Sequence, residues 1–305
     1  MLNSNPNSTK TIEKRDAPKA RPAPIAWHNW IGVVPFFIFA FLFIFLPSAA
    51  LLMGAFQDVD GKFTWLNFVG LFEPSIVASY WVTIRISLVT AIGGGILGFF
   101  MIYAVTLGGL PRWMRSILTT FSGVASNFAG VPLAFAFIAT LGRTGLVTVI
   151  LKLFFGLNLY DQGFSLYSFW GLTLTYMYFQ FPLMALVITP ALDGLKREWR
   201  EAAENLGATP FQYWTKVGIP ILLPSILGTI ILLFGNAFGA YATALSLTGG
   251  FINLVTIVIG SQIKGDVLHN PGLGYALAMG MVIVMGVTMT IYFLLRRRSE
   301  RWLAK

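Results

Sequence analysis

Long apolar stretches separated by short polar segments dominate the sequence, and each stretch could cross the roughly 30 Å hydrocarbon core of a bilayer as one helix. Two other apolar pieces, 146–157 and 251–263, are too short for this, and we expect them to lie at an interface or to re-enter the membrane. The pattern predicts an all-α membrane protein with six transmembrane helices, over Trp30–Phe56, Tyr80–Leu107, Trp113–Leu141, Tyr167–Leu192, Ile221–Leu247 and Gly274–Leu295.

A polar interruption lies between the fourth and fifth apolar stretches. Helical spacing places one apolar set on a single helix face: Leu195, Trp199, Ala202 and Leu206. Arg197 with Glu201 and Arg200 with Glu204 are i, i+4 pairs on the other face, each contributing roughly 0.2–0.5 kcal/mol. This spacing predicts an exposed amphipathic helix.

The same interruption contains the signals for a turn and a second helix. Gly207 is suited to a left-handed cap, and Thr209, Pro210 and Gln212 match N-cap, N1 and N3 of a capping box. We therefore expect a helix, a tight turn and another helix. Four aromatic side chains are too large to be buried within so short an element, and we expect them to pack against the membrane domain or a partner: Trp199, Phe211, Tyr213 and Trp214.

Composition and charge define the setting. Hydrophobic residues make up 56% of the chain and charged residues 11%, far from the usual balance of a soluble protein. The net charge of +9 does not indicate nucleic-acid binding, because the basic residues follow the positive-inside rule. With both termini cytoplasmic, all but five of the 21 Lys and Arg residues fall on the cytoplasmic side, the exceptions being Lys62, Arg85, Arg143, Lys152 and Lys264.

The chain divides by composition into four parts. Residues 1–26 are predicted to be a disordered cytoplasmic tail; a cleavable signal peptide ending near Pro47–Ala50 is the alternative. Residues 27–79 hold the first helix and an outer loop, 80–296 the core, and 297–305 a basic cytoplasmic tail.

The absence of cysteine excludes disulfides and thiolate sites, and His28 and His269 stand far apart, so the sequence predicts no metal centre.

The spacing within residues 193–220 resembles a known signature. Glu201-Ala202-Ala203, then three residues and Gly207, then nine residues and Val217-Gly218-Ile219-Pro220 are similar to the EAA motif, E-A-A-x3-G-x9-I-x-L-P, of type I ATP-binding-cassette importer permeases. Val217 replaces the usual Ile and Ile219 the usual Leu. The resemblance extends over about 80–296 and implies that family's fold.

The resemblance implies that segment 193–220 couples the permease to an ATPase. The first short helix would sit in a groove of a separate ATPase subunit, with Glu201 facing a basic group, Ala202 and Ala203 permitting close packing, and Gly207 the turn. Pro220 would connect rigidly to the fifth helix. The sequence has no phosphate-binding loop, so ATP and Mg²⁺ would be bound by the partner, and no cofactor is expected on this chain.

The family resemblance also implies the partners. These are two ATPase subunits, a second permease subunit in a heterodimer, and a periplasmic or lipid-anchored solute-binding protein, in the bacterial inner membrane among lipids.

The segment Asn270–Ala276 looks most like the spermidine and putrescine permease branch, while phosphonate, ferric iron, sulfate and opine-like solutes stay open. An ion-coupled secondary transporter is a weaker alternative, because no intramembrane carboxylate or inverted repeat is evident.

Polar side chains at membrane depth are candidates for the translocation path. They are Asn127, Tyr176, Gln180, Asn236 and Tyr241. Hydrogen bonding between helices explains the amides equally well.

Two glycine pairs, Gly94 with Gly98 and Gly235 with Gly239, have the spacing of close helix contacts. Pro132 and Pro182 are expected to interrupt or kink their helices.

Overall fold

The computed structural model describes residues 32–58, 60–108, 111–265 and 269–303. Within these residues the chain is helical, with turns, bends and one isolated β-bridge between Gln57 and Phe63. Contacts divide the chain into two units, Met1–Ser48 and Ala49–Lys305. The predicted tail 1–26, His28 and Asp266 lie outside the described residues.

Twelve helices of the described residues are numbered in chain order. They are α1 Val34–Gly54, α2 Leu66–Val69, α3 Pro74–Leu107, α4 Arg112–Ala125, α5 Val131–Leu141, α6 Leu146–Phe155, α7 Phe169–Asp193, α8 Arg197–Asn205, α9 Pro210–Phe238, α10 Ala242–Thr248, α11 Val255–Lys264 and α12 Pro271–Leu303.

Six segments of the described residues are long and apolar enough to cross a membrane, as predicted. They are Val34–Gly54, Pro74–Leu107, Val131–Phe155, Phe169–Asp193, Pro210–Phe238 and Pro271–Arg297. Phe251–Ile263 was not predicted as a span, and the corresponding α11 is too short for one. Helix α12 continues through most of the predicted C-terminal tail, to Leu303.

The third span differs from the predicted Trp113–Leu141. The chain leaves helical geometry between α4 and α5, where Gly130 has a φ of 76° and Pro132 lies in the first turn of α5. A backbone at positive φ cannot continue a right-handed helix, and proline favours a helix start. The candidate span is instead Val131–Phe155, which includes the apolar piece that we expected to be interfacial.

The fourth and fifth spans also differ from the sequence prediction. Helix α7 runs on through Pro182 and Pro190, so Pro182 does not interrupt it. Helix α9 begins at Pro210 instead of Ile221 and ends at Phe238, and a separate helix, α10, covers most of the predicted remainder. The second helix of the polar interruption is therefore continuous with the fifth span.

Helices α3, α7 and α9 form the centre of the second unit. The glycines of α3 allow close approach: a Cβ on Gly94 would lie 2.5 Å from Gln180 Cβ, and one on Gly98 would lie 2.3 Å from the Phe181 carbonyl oxygen. The close contact predicted for this pair is confirmed. Gly235 instead faces the flexible end of Met285, and Gly239 follows the last residue of α9.

At one end of the second unit a loop closes against the start of α12. The Asn67 amide donates to the carbonyls of Ala55 (3.1 Å) and Gln57 (2.9 Å). A cleft of about 890 Å³ lies there, and its polar lining includes Asp58, Glu73 and His269. The predicted topology places this cleft on the outer side of the membrane.

Candidate coupling segment and translocation path

Helix α8 carries the charged face that was predicted. Arg197 Nε lies 2.9 Å from Glu201 Oε1, and Arg200 Nε lies 2.9 Å from Glu204 Oε1. The hydrogen bond with Glu204 raises the pKa of the Arg200 guanidinium. Both pairs are exposed, so each adds only a few tenths of a kcal/mol to helix stability, about 0.3–0.5 kcal/mol.

The predicted apolar face is only partly helical. Helix α8 begins at Arg197 and ends at Asn205, so Leu195 and Leu206 fall outside it. Leu195 packs against the core that α3, α7 and α9 form, whereas Leu206 is 88% exposed. The apolar residues of this segment are therefore divided between the membrane core and solvent.

Gly207 ends the first helix in the predicted manner. Its φ is 78°, and its N–H donates to the Glu204 carbonyl at 2.9 Å while the Ala208 N–H donates to the Ala203 carbonyl at 2.9 Å. These two bonds form a Schellman motif, which requires a left-handed residue at the glycine position. The turn between α8 and α9 is therefore fixed by backbone geometry.

A capping box begins α9. Thr209 Oγ1 accepts from the Gln212 N–H at 3.3 Å, and Gln212 Oε1 accepts from the Thr209 N–H at 2.8 Å, as predicted. A π-helical turn follows at Trp214–Gly218, with the Ile219 N–H bonded to the Trp214 carbonyl. The wide turn immediately precedes Pro220, whose ring would otherwise crowd the carbonyl four residues earlier.

The aromatic residues of the coupling segment, defined as residues 193–220, point in two directions. Tyr213 is buried and Trp214 packs against the membrane core, whereas Phe211 is 77% exposed. Trp199 is also exposed, beside Lys196. The inner aromatic residues anchor the segment, and the outer ones leave apolar surface uncovered in this chain.

The residues of the EAA-like motif lie partly on the exposed surface of α8 and partly where α9 enters the membrane domain. Glu201 and Ala202 are exposed and Ala203 is half-buried on α8. On α9, Val217 and Pro220 are half-buried and Ile219 is exposed. The start of the motif therefore faces outwards, and its end enters the membrane domain.

Sequence reasoning missed an ion pair at the base of this segment. Arg115 Nη2 of α4 lies 2.5 Å from Oδ2 of Asp193, the last residue of α7. The residues are 78 positions apart, and no local pattern predicts the contact. The pair ties α4 to the point where the coupling segment begins.

Two of the candidate path residues hold α7 against the end of α9. Gln180 Nε2 donates to the Leu233 carbonyl at 2.8 Å, and the Tyr176 hydroxyl donates to the Ala240 carbonyl at 3.0 Å. Both side chains are fully buried, and Gln180 Oε1 has no partner in the described part of the chain. Their observed contacts therefore join α7 to α9 and to the residues that follow α9.

The other three candidates are exposed beside breaks in the helices. Asn127 lies between α4 and α5, while Asn236 and Tyr241 lie at the end of α9 and just after it. The two breaks are joined, because the Gly130 N–H donates to Thr243 Oγ1 at 2.7 Å. Irregular backbone at membrane depth is tolerated where it is buried in protein or lines a water-filled cavity.

Comparison with known proteins gives one family. The model of the family described as "Binding-protein-dependent transport system inner membrane component" matches residues 111–305. The sulfate transport system permease protein CysT of Escherichia coli is 28% identical over 215 residues, which cover 70% of this chain and 72% of that protein. The spermidine/putrescine permease PotB of Haemophilus influenzae is 24% identical over 300 residues, covering 88% and 96%.

A solved structure agrees in fold. A bacterial ABC transporter involved in the import of the acidic polysaccharide alginate has a chain that matches with a TM-score of 0.70 at 17% identity, covering 89% of this chain and 96% of that chain. The family model spans well over half of the present sequence. The chain therefore belongs to the binding-protein-dependent transport system inner-membrane component family, as the permease component of an ABC importer in the bacterial inner membrane.

Proposed function

We propose that the coupling segment docks on a separate ATPase subunit, and that this permease imports a polyamine received from a solute-binding protein. The observation that carries the docking role is the exposed apolar surface at Leu206 and Phe211, next to the charged pairs of α8. Exposed apolar surface that is rimmed by charged residues is typical of an interaction site.

The geometry favours a rigid transfer of motion. Helix α8 ends in a Schellman motif, and α9 continues from the coupling segment into the fifth span. ATP-driven closure of two ATPase subunits would move two such segments together and alternate the access of the membrane pathway. A heterodimer with a second permease supplies the other segment.

For the path itself we propose the region of the two helix breaks. Asn127, Asn236 and Tyr241 would contact the solute, since they are exposed there, and Tyr176 and Gln180 would position the end of α9 from behind. Amide and phenol groups offer neutral hydrogen bonds, which suit transient passage better than tight binding.

Two observations support a polyamine. The similarity to the spermidine/putrescine permease extends over 96% of that protein, and the outer cleft is lined by the carboxylates Asp58 and Glu73, which would attract a cation. Sulfate is the second candidate, because the sulfate permease has the higher identity, 28% against 24%.

The experiment is stimulation of ATP hydrolysis in the reconstituted complex by its solute-binding protein. We expect stimulation when the binding protein is loaded with spermidine or putrescine, and none when sulfate replaces them. Stimulation by sulfate alone would overturn the polyamine assignment. A native complex that contains no ATPase subunit would overturn the docking role.

A further inference from the structure

Trp214 connects the coupling segment to a span other than its own. Its ring packs edge-on against Tyr103 of α3, with centroids 4.9 Å apart and an interplanar angle of 81°. Tyr103 in turn stacks with Phe99, one turn earlier on α3, and their ring centroids are 6.3 Å apart. Aromatic contacts of this kind are favourable beyond the apolar area that they bury, so the Trp214–Tyr103 pair ties α9 to α3.

The π-helical turn holds the indole in place. A Cβ on Gly218 would lie 2.6 Å from Cε3 and 2.9 Å from Cζ3 of Trp214, both closer than Cβ contacts occur. The ring therefore lies directly on the Gly218 backbone. Trp214 begins this turn and Gly218 ends it. The wide turn and the lack of a side chain on Gly218 together provide the space that the ring occupies.

Helix α3 is well placed to receive motion from this contact. Gly94 and Gly98 bring its backbone against α7, and a Cβ on Gly95 would contact Ile230 of α9 at 3.4 Å. A shift of α3 must therefore be accommodated by two other central spans, because close-packed backbones leave no free space.

We propose that Trp214 and Tyr103 form a second route by which movement of the coupling segment reaches the spans, in parallel with the continuous helix through Pro220. Both are positioning residues, since they act by setting the place of α3. This inference rests on the proposed docking of an ATPase to the coupling segment.

The test uses the whole complex reconstituted with its solute-binding protein, with the Trp214→Leu and Tyr103→Leu variants and their double variant. Tyr103→Phe, which keeps the ring, is the matched control. We expect normal subunit content and basal ATP hydrolysis in all four, and an approximately tenfold or larger loss of binding-protein stimulation in both leucine variants. The double variant should lose no more than either single one, because both substitutions cut one contact.

Three results would contradict this route: retained stimulation in either leucine variant, losses that multiply in the double variant, or an equal loss in Tyr103→Phe. If Trp214→Leu does not accumulate, Gly218→Ala replaces it, since it displaces the ring without removing it, and normal stimulation there would also overturn the route. A wild-type complex that lacks the ATPase or its stimulation would instead refute the proposed function.

Discussion

Replacing Gly98 with leucine should prevent the chain from accumulating as a folded protein. A Cβ at this position would lie 2.3 Å from the Phe181 carbonyl oxygen and 2.7 Å from Met184 Cβ. The first of these atoms belongs to the backbone of α7, so a rotamer change cannot relieve the clash. Overpacking of a tight core typically costs about 1–3 kcal/mol, and displacing a helix backbone lies at the upper end of that range or beyond it.

The measurement is the yield of monodisperse protein after detergent extraction, followed by gel filtration. Gly286→Leu is the matched control, since Gly286 is also within a long helix but a Cβ there would have no atom of the described residues within 4 Å. Folded Gly98→Leu at the yield of Gly286→Leu would show that α3 and α7 do not make the close contact described above.

The second large effect is expected at the turn of the coupling segment. Gly207→Val should leave the protein folded and reduce solute uptake by roughly tenfold or more. Among the residues that the structure describes, no atom lies within 4 Å of a Cβ at this position, so the substitution causes no clash there. The φ of 78°, however, is unfavourable for a β-branched residue. The left-handed conformation costs about 1–2 kcal/mol for an ordinary residue. The Schellman bonds would open, and α8 would lose its fixed direction.

Uptake by reconstituted vesicles is compared with the melting temperature of the same preparation. Gly207→Asn is the control, because asparagine tolerates the left-handed region, and it should retain most of the uptake. Equal uptake by the valine and asparagine variants would contradict a mechanical role for this turn. A large fall in melting temperature with valine would show a structural role in its place.

The local features of the coupling segment could be predicted from sequence because each depends on neighbouring residues. The capping box at Thr209 and Gln212, the left-handed Gly207 and the ion pairs of α8 all involve partners within five positions. The number of spans could be predicted for a similar reason, since it follows from the length of apolar stretches.

Features that depend on distant partners were not predictable. The break before α5 depends on a positive φ at Gly130, whose N–H is held by Thr243 from another helix. Pro182 resembles a helix breaker in sequence, yet α7 continues through it at a place where its neighbours are buried against α3. The contacts Arg115–Asp193 and Tyr103–Trp214 likewise join segments with no shared pattern.

The candidate path illustrates the same limit. A polar residue within an apolar stretch indicates either a path or a bond between helices, and the sequence cannot separate the two. In the structure Tyr176 and Gln180 are buried and bonded to the carbonyls of Ala240 and Leu233, while Asn127, Asn236 and Tyr241 are exposed. Burial therefore separates the candidates that bond α7 to neighbouring backbone from the candidates that are exposed and could line a path.

The central claim is that the coupling segment lies in the cytoplasm and is covered by an ATPase subunit, and cysteine labelling tests it directly. The chain has no cysteine, so Phe211→Cys and Lys62→Cys each introduce a single reactive thiol at an exposed position, the second in the predicted outer loop. A membrane-impermeant maleimide should label Phe211→Cys only in inside-out vesicles stripped of the ATPase, with protection when the ATPase is restored, and should label Lys62→Cys only in spheroplasts, from the outside. Labelling of Phe211→Cys from the outside, or equal labelling with and without the ATPase, would contradict the account.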